Sequence, residues 1–204
     1  MLLFHTSTSP FVRKVLVAAH ELGLADRIET HFLRPSPLEP SAELSQHNPL
    51  SKIPTLVLDD GQVLYDSRVI CEYLDTLATG RRLVAAEGPA RWRTLRQQAL
   101  CDGMLDAAIV VFYEKANRPA SHWYAPWLDG QSAKVLQGLD QMEKEIGELP
   151  EEVDLAQVAL GAALGWFVHR GVVGDVLASR PQLAAWYARF SERPSMVATR
   201  PPSS

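Results

Sequence analysis

The 204-residue chain is 47% hydrophobic and 22% charged, the proportions of a globular protein with room for one large domain or two small ones. Its 20 Lys and Arg face 24 Asp and Glu, for a net charge of −4, and no basic run carries interleaved aromatics, which argues against a nucleic-acid partner. Two cysteines without a C-x-x-C and six scattered histidines argue against a disulfide framework and a metal site, and four apolar residues at the N-terminus with no membrane-length run point to a cytoplasmic protein.

Met1 to Phe4 reads as a short buried strand. After Pro10 the apolar residues Val12, Val15, Leu16, Ala19 and Leu22 recur at the spacing of one helix face, so Ser9 is the expected N-cap and Pro10 the first helical residue. This helix ends near Leu22-Gly23, and a second strand follows over Ile28 to Leu33. Pro35, Pro37 and Pro40 make the next stretch a loop, since proline removes donors and restricts its predecessor. A short helix over Ser41 to Gln46 leads through Asn48-Pro49-Leu50-Ser51-Lys52 to Ile53-Pro54. Thr55 to Leu58 and Gln62 to Tyr65 are strands about an Asp-Gly turn, and Asp66 caps a helix with Val69, Ile70, Tyr73, Leu74 and Leu77 on one face.

Beyond the Arg81 to Pro89 stretch the strand signals cease. Helical patterns cover Arg91 to Ala116, Ser121 to Leu149 (started or bent by Pro126), Asp154 to Arg170 and Leu183 to Ser191, with a shorter one at Asp175 to Ser179. Asp154 and Gln157 have the spacing of a capping box. The Pro201 to Ser204 tail is expected to be loose.

Three motifs, in this order and spacing, resemble the glutathione S-transferase family over the whole chain. Ser9-Pro10-Phe11-Val12 stands where glutaredoxins carry Cys-Pro-Tyr-Cys and is similar to the Ser-Pro-Phe of tau-class and the Cys-Pro-Phe of omega-class transferases. Asn48-Pro49-x-x-Lys52-Ile53-Pro54 resembles the family's glutathione-binding loop, and Asp66-Ser67-Arg68 with Ile70 and Tyr73-Leu74 resembles its acidic-Ser helix start. Bacterial homologues of the YibF type are nearest in character. The resemblance implies a thioredoxin-like α/β domain over residues 1–78, a linker over 79–89, and an all-helical domain over 90–204 that carries the electrophile pocket and dimer contacts.

It also implies chemistry. Glutathione must lose its thiol proton before attacking an electrophile, and at neutral pH a free thiol is only a few per cent ionised. A hydroxyl at a helix N-terminus stabilises the thiolate by a hydrogen bond and by the positive end of the helix dipole. Ser9 is the residue expected in that role, with Ser7 second among the hydroxyls of Thr6 to Ser9. The resemblance places Phe11, Lys52, Ile53, Pro54, Asp66 and Ser67 against glutathione: Lys52 on the glycyl carboxylate, Ile53 on the cysteinyl backbone beside a cis Pro54, Ser67 on the γ-glutamyl carboxylate and Asp66 on its ammonium or amide. Asp102, sharing a helix face with Asp106, is expected to reach the γ-glutamyl ammonium across a homodimer interface, and Tyr113, Trp123 and Trp127, with Tyr124, to line the electrophile pocket. The implied protein is a cytoplasmic, homodimeric transferase of the detoxification type, with glutathione as co-substrate, a small electrophile as the other partner, and no metal, membrane or nucleic acid. The alternatives are a noncatalytic glutathione-binding or protein-interaction module and a glutathione-dependent reductase or peroxidase; Ser9 in place of Cys argues against the latter.

Overall fold

The architecture comes from a computed structural model that describes residues 1–202. Ser203 and Ser204, part of the expected loose tail, lie outside the described residues. The chain divides into two compact units, one of Met1–Arg91 with residues 194–202 and one of Trp92–Arg193.

In the first unit, β1 (Leu2–His5) leads to α1 (Pro10–Glu21), β2 (Glu29–Phe32), α2 (Ala42–Ser45), β3 (Thr55–Val57), β4 (Val63–Leu64) and α3 (Ser67–Leu77). The strands order as β2-β1-β3-β4, with β1 parallel to β2 and β3 antiparallel to both its neighbours. This is the thioredoxin-like sheet that the resemblance implies. Gly61, at φ +86°, makes the tight turn between β3 and β4 that the Asp-Gly pair signals.

Ser9 caps α1 as expected: its Oγ accepts the Val12 N–H at 3.3 Å, and Pro10 follows in the first turn. Yet α1 buries more than one stripe, because Arg13 and Lys14 are covered along with Val12, Val15, Val17, Ala18 and Ala19. Arg13 is covered by a short helix that the periodicity does not predict, α8 (Pro194–Ala198), which packs on α1 while α3 also packs on it. Arg13 Nη2 donates to the Met196 carbonyl at 3.0 Å, and Ser195 Oγ donates to Glu21 at 2.6 Å. The C-terminal segment therefore groups with the α/β unit, whereas the resemblance implies a single helical domain over residues 90–204.

Helix α3 is also turned from its expected face. Ser67, Ile70, Cys71, Leu74 and Asp75 are buried, while Val69 is 48% exposed. Asp75 fixes this rotation by accepting the Leu83 N–H and, at 3.1 Å, Arg82 Nε.

The second unit is helical among the described residues. It holds most of α4 (Gly88–Asn117), then α5 (Ala125–Glu145), α6 (Leu155–Arg170) and α7 (Pro181–Phe190). Pro126 starts α5 and does not bend it. Helix α6 is buried continuously from Leu155 to Phe167, so it forms the unit's core and shows no amphipathic stripe. The expected helix at Asp175 to Ser179 is a turn, because Asp175 Oδ1 takes the Leu177 and Ala178 N–H groups and offers the backbone an alternative to helix. Asp154 caps α6 by accepting the Gln157 N–H at 3.0 Å. The other half of the box differs from expectation: the Gln157 amide donates to the carbonyls of Pro150 and Glu152.

Candidate functional site

Strand register gathers the three motifs of the first unit at one end of the sheet. Phe4 pairs with Thr55, so His5 is level with Pro54 one residue on, and Leu56 pairs with Leu64, so Pro54 is level with Asp66 two residues on. His5, Pro54 and Asp66 thus fall in a row, with Phe32 beyond His5 on β2. From this end the chain runs into α1 through residues 6–9, into β3 through Ile53-Pro54, and into α3 through Asp66. Both helices thus start here, and their first-turn N–H groups lack helical acceptors. The end is suited to anionic groups.

The side chains differ in what they can offer. Ser9 is half-buried, and because its Oγ accepts from Val12 its O–H remains to donate outward. Ser7 is exposed. Asp66 is exposed and caps α3 through Oδ1 and the Arg68 N–H at 2.9 Å, while the neighbouring Ser67 is buried. Lys52 is exposed, Ile53 half-buried and Pro54 buried, and the Ile53–Pro54 peptide is cis. Phe11 is half-buried, with the ammonium of buried Lys14 lying 5.9 Å from its ring centroid. Burial pushes the imidazole of His5 below its ordinary value; the Thr6 backbone opposes this and His31 adds to it.

One residue governs the approach to Pro54. Asn48, 1% exposed, donates from Nδ2 to the Lys52 carbonyl (3.1 Å) and to Thr55 Oγ1 (3.0 Å), and its Oδ1 accepts the Leu50 N–H (3.0 Å). Thr55 Oγ1 donates to the same Lys52 carbonyl at 2.8 Å, and Ser51 is held at φ +49°. The loop from 48 to 55 is therefore a hydrogen-bonded knot that fixes where Ile53 lies. The Asn-Pro pair before a strand is the sequence signal for this local turn. Among the described residues, no group of three or more His, Cys, Asp or Glu is placed to hold a metal ion.

Comparison with known proteins decides the family. The glutathione S-transferase N-terminal domain matches residues 8–77, and the glutathione S-transferase C-terminal domain matches residues 125–189. The GST-like protein YibF of Escherichia coli is 31% identical over the full length of both chains. The chain belongs to the glutathione S-transferase family. Among solved structures, a glutathione transferase family member from Pseudomonas fluorescens with bound glutathione is 48% identical, with a TM-score of 0.96 over 98% of each chain. A structure from the same species with bound S-(propanoic acid)-glutathione is 45% identical, with a TM-score of 0.91 over 99% of this chain and all of that one. A glutathione S-transferase from Methylobacillus flagellatus with glutathione bound is 35% identical, with a TM-score of 0.87 over 98% and 99%.

The remaining predicted residues of this transferase-family chain lie in its helical unit. Asp102 is buried and Asp106 exposed, so the two carboxylates do not share one environment. Tyr113 is half-buried and edge-on to Phe112 at 5.5 Å. Trp123 donates Nε1–H to the Arg118 carbonyl at 3.0 Å, Trp127 is 42% exposed, and Tyr124 is exposed. Among the described residues no helix is long and apolar enough to cross a membrane.

Proposed function

We propose that the protein is a glutathione transferase that joins the glutathione sulfur to a small electrophile. The observation that carries this reading is the meeting, at one sheet end, of the Ser9-capped start of α1, the Ile53–Pro54 segment before β3 and the Asp66-capped start of α3. Ser9 donates its hydroxyl hydrogen to the thiolate and forms no covalent bond, with Ser7 the second choice. Ile53 precedes the strand ladder, which begins at Thr55, and its backbone pairs with the cysteinyl residue as one more strand would. Lys52 takes the glycyl carboxylate, Ser67 the γ-glutamyl carboxylate, and Asp66 the ammonium, with Phe11 packing alongside. Residues 1–78 are the glutathione-binding part. Tyr113, Trp123 and Trp127 of the helical unit contact the electrophile, in a homodimer in the cytoplasm. Asp102 does not make the expected reach across that dimer, because its carboxylate is buried within its own chain.

In the reaction the thiol proton leaves to solvent and the sulfur pair forms the S–C bond. In an addition the alkene π pair moves to the adjacent carbon, which takes a proton from water. In a substitution the leaving group departs with its bonding pair. The relatives with bound glutathione and bound S-(propanoic acid)-glutathione support the choice of ligand.

Calorimetric titration with glutathione, followed by ultraviolet difference spectra of bound thiolate, tests the reading. Ser9→Ala is expected to keep most of the affinity and lose the thiolate band. An unchanged band overturns the role of Ser9, and glutathione binding without turnover on any electrophile favours a noncatalytic module.

A further inference from the structure

Arg93 and Arg170 of the helical unit each have a buried Nε without a hydrogen-bond partner, and of the two Arg170 also faces an aromatic ring. Arg170 ends α6, and its guanidinium lies 5.0 Å from the ring centroid of Phe112 on α4. Phe112 is edge-on to Trp166, one helical turn before Arg170, at 6.1 Å, and to Tyr113 at 5.5 Å. Arg170 Nε is buried and has no hydrogen-bond partner, and no carboxylate lies within ion-pair distance of Arg170 among the described residues. An arginine serving only the carbonyl end of its helix would keep its donors in water. A buried donor without an acceptor is costly, and buried donors are ordinarily satisfied.

We infer that Arg170, with Phe112, Tyr113 and Trp166, is a receptor for the carboxylate of a small apolar organic acid. The guanidinium presents a planar fork that matches a carboxylate bidentately, and an acceptor on it would satisfy Nε. The surrounding rings supply the flat apolar wall that an aromatic or unsaturated acid needs, and the single cation suits a monoanion better than a phosphate. Resting on the transferase reading above, this makes the electrophile a carboxylate-bearing compound, with Arg170 setting specificity and taking no part in bond making.

The test is calorimetric titration of the full chain, without glutathione, with trans-cinnamate and with its neutral isostere cinnamamide. Cinnamate is expected to bind about ten- to a hundredfold more tightly. Arg170→Met is expected to abolish that preference and leave cinnamamide binding within about twofold, and Arg170→Lys to restore part of it, since Lys keeps the charge without the fork. Equal binding of the two probes by the wild type, no binding of either, or a preference that survives in Arg170→Met each overturns the inference. Should Arg170→Met fail to fold, the wild-type ratio and Arg170→Lys decide. Glutathione titrated into the same preparation separates the two readings: acid preference without glutathione binding sinks the transferase reading and leaves the receptor standing.

Discussion

Glu145, only 7% exposed, remains ionised. Burial pushes its carboxyl up, but hydrogen bonds from Arg96 (2.6 Å), Gln141 (2.6 Å) and Gln97 (2.9 Å) outweigh burial and hold the pKa down to about 2. A carboxyl depressed in the folded state stabilises fully above its unfolded value, and that contribution is lost as pH falls from about 4.5 towards 2. In Glu145→Gln, the loss of unfolding free energy between pH 6 and pH 2.5 should shrink by about 2 kcal/mol, as read by urea titrations at the two pH values. Asn48 makes a different case. Removing its three hydrogen bonds in Asn48→Ala should lower stability by about 2–3 kcal/mol and weaken glutathione binding, both measurable on one preparation. The sequence pointed to the motif around Asn48 and to the hydroxyl of Ser9. It did not reveal Arg170, because an arginine in a last helical turn looks the same whether its donors meet water or face an aromatic ring.

Among the elements, α6 shows how a cap gains weight from its surroundings. Asp154 accepts the Gln157 N–H with Oδ1, and its Oδ2 accepts Thr94 Oγ1–H from α4 at 2.8 Å in a buried setting. A cap alone is worth about 1 kcal/mol, and the buried second bond should raise the cost of Asp154→Ala to about 2 kcal/mol. A double-mutant cycle with Thr94→Val should return a coupling near 1 kcal/mol, with glutathione affinity unmoved in every variant. Helix α7 has no local side-chain cap, and Glu143 of α5 supplies one by accepting the Gln182 and Leu183 N–H groups at 3.0 and 2.7 Å. Local rules found the Asp154 cap because donor and acceptor are three residues apart. They could not find Glu143, which is 39 residues from its nearer partner. The rotation of α3 was hidden for a similar reason: Asp75 faces inward only because Leu83 and Arg82 come back to meet it.

At the scale of the whole molecule, the order of strands and helices was readable from spacing, but the return of the chain end was not. Five residues of α8 carry too little periodicity to register, and their partner α1 lies at the other end of the sequence. Met196 is fully buried, so Met196→Ala should cost about 2–4 kcal/mol. Hydrogen exchange should then speed up in α1 peptides while those of α6 hold their protection, and uniform loosening of both would refute this division of the stability. The sheet carries a last implication. Its outer strands are β2, four residues long, mostly exposed and followed by Pro35, Pro37 and Pro40, and β4, two residues long. Neither offers a template long enough for a foreign strand to zip onto, and the prolines withhold the donors such growth would need. The open borders of the sheet are thereby guarded against fibre-like stacking, and any association between copies has to proceed through side-chain surfaces.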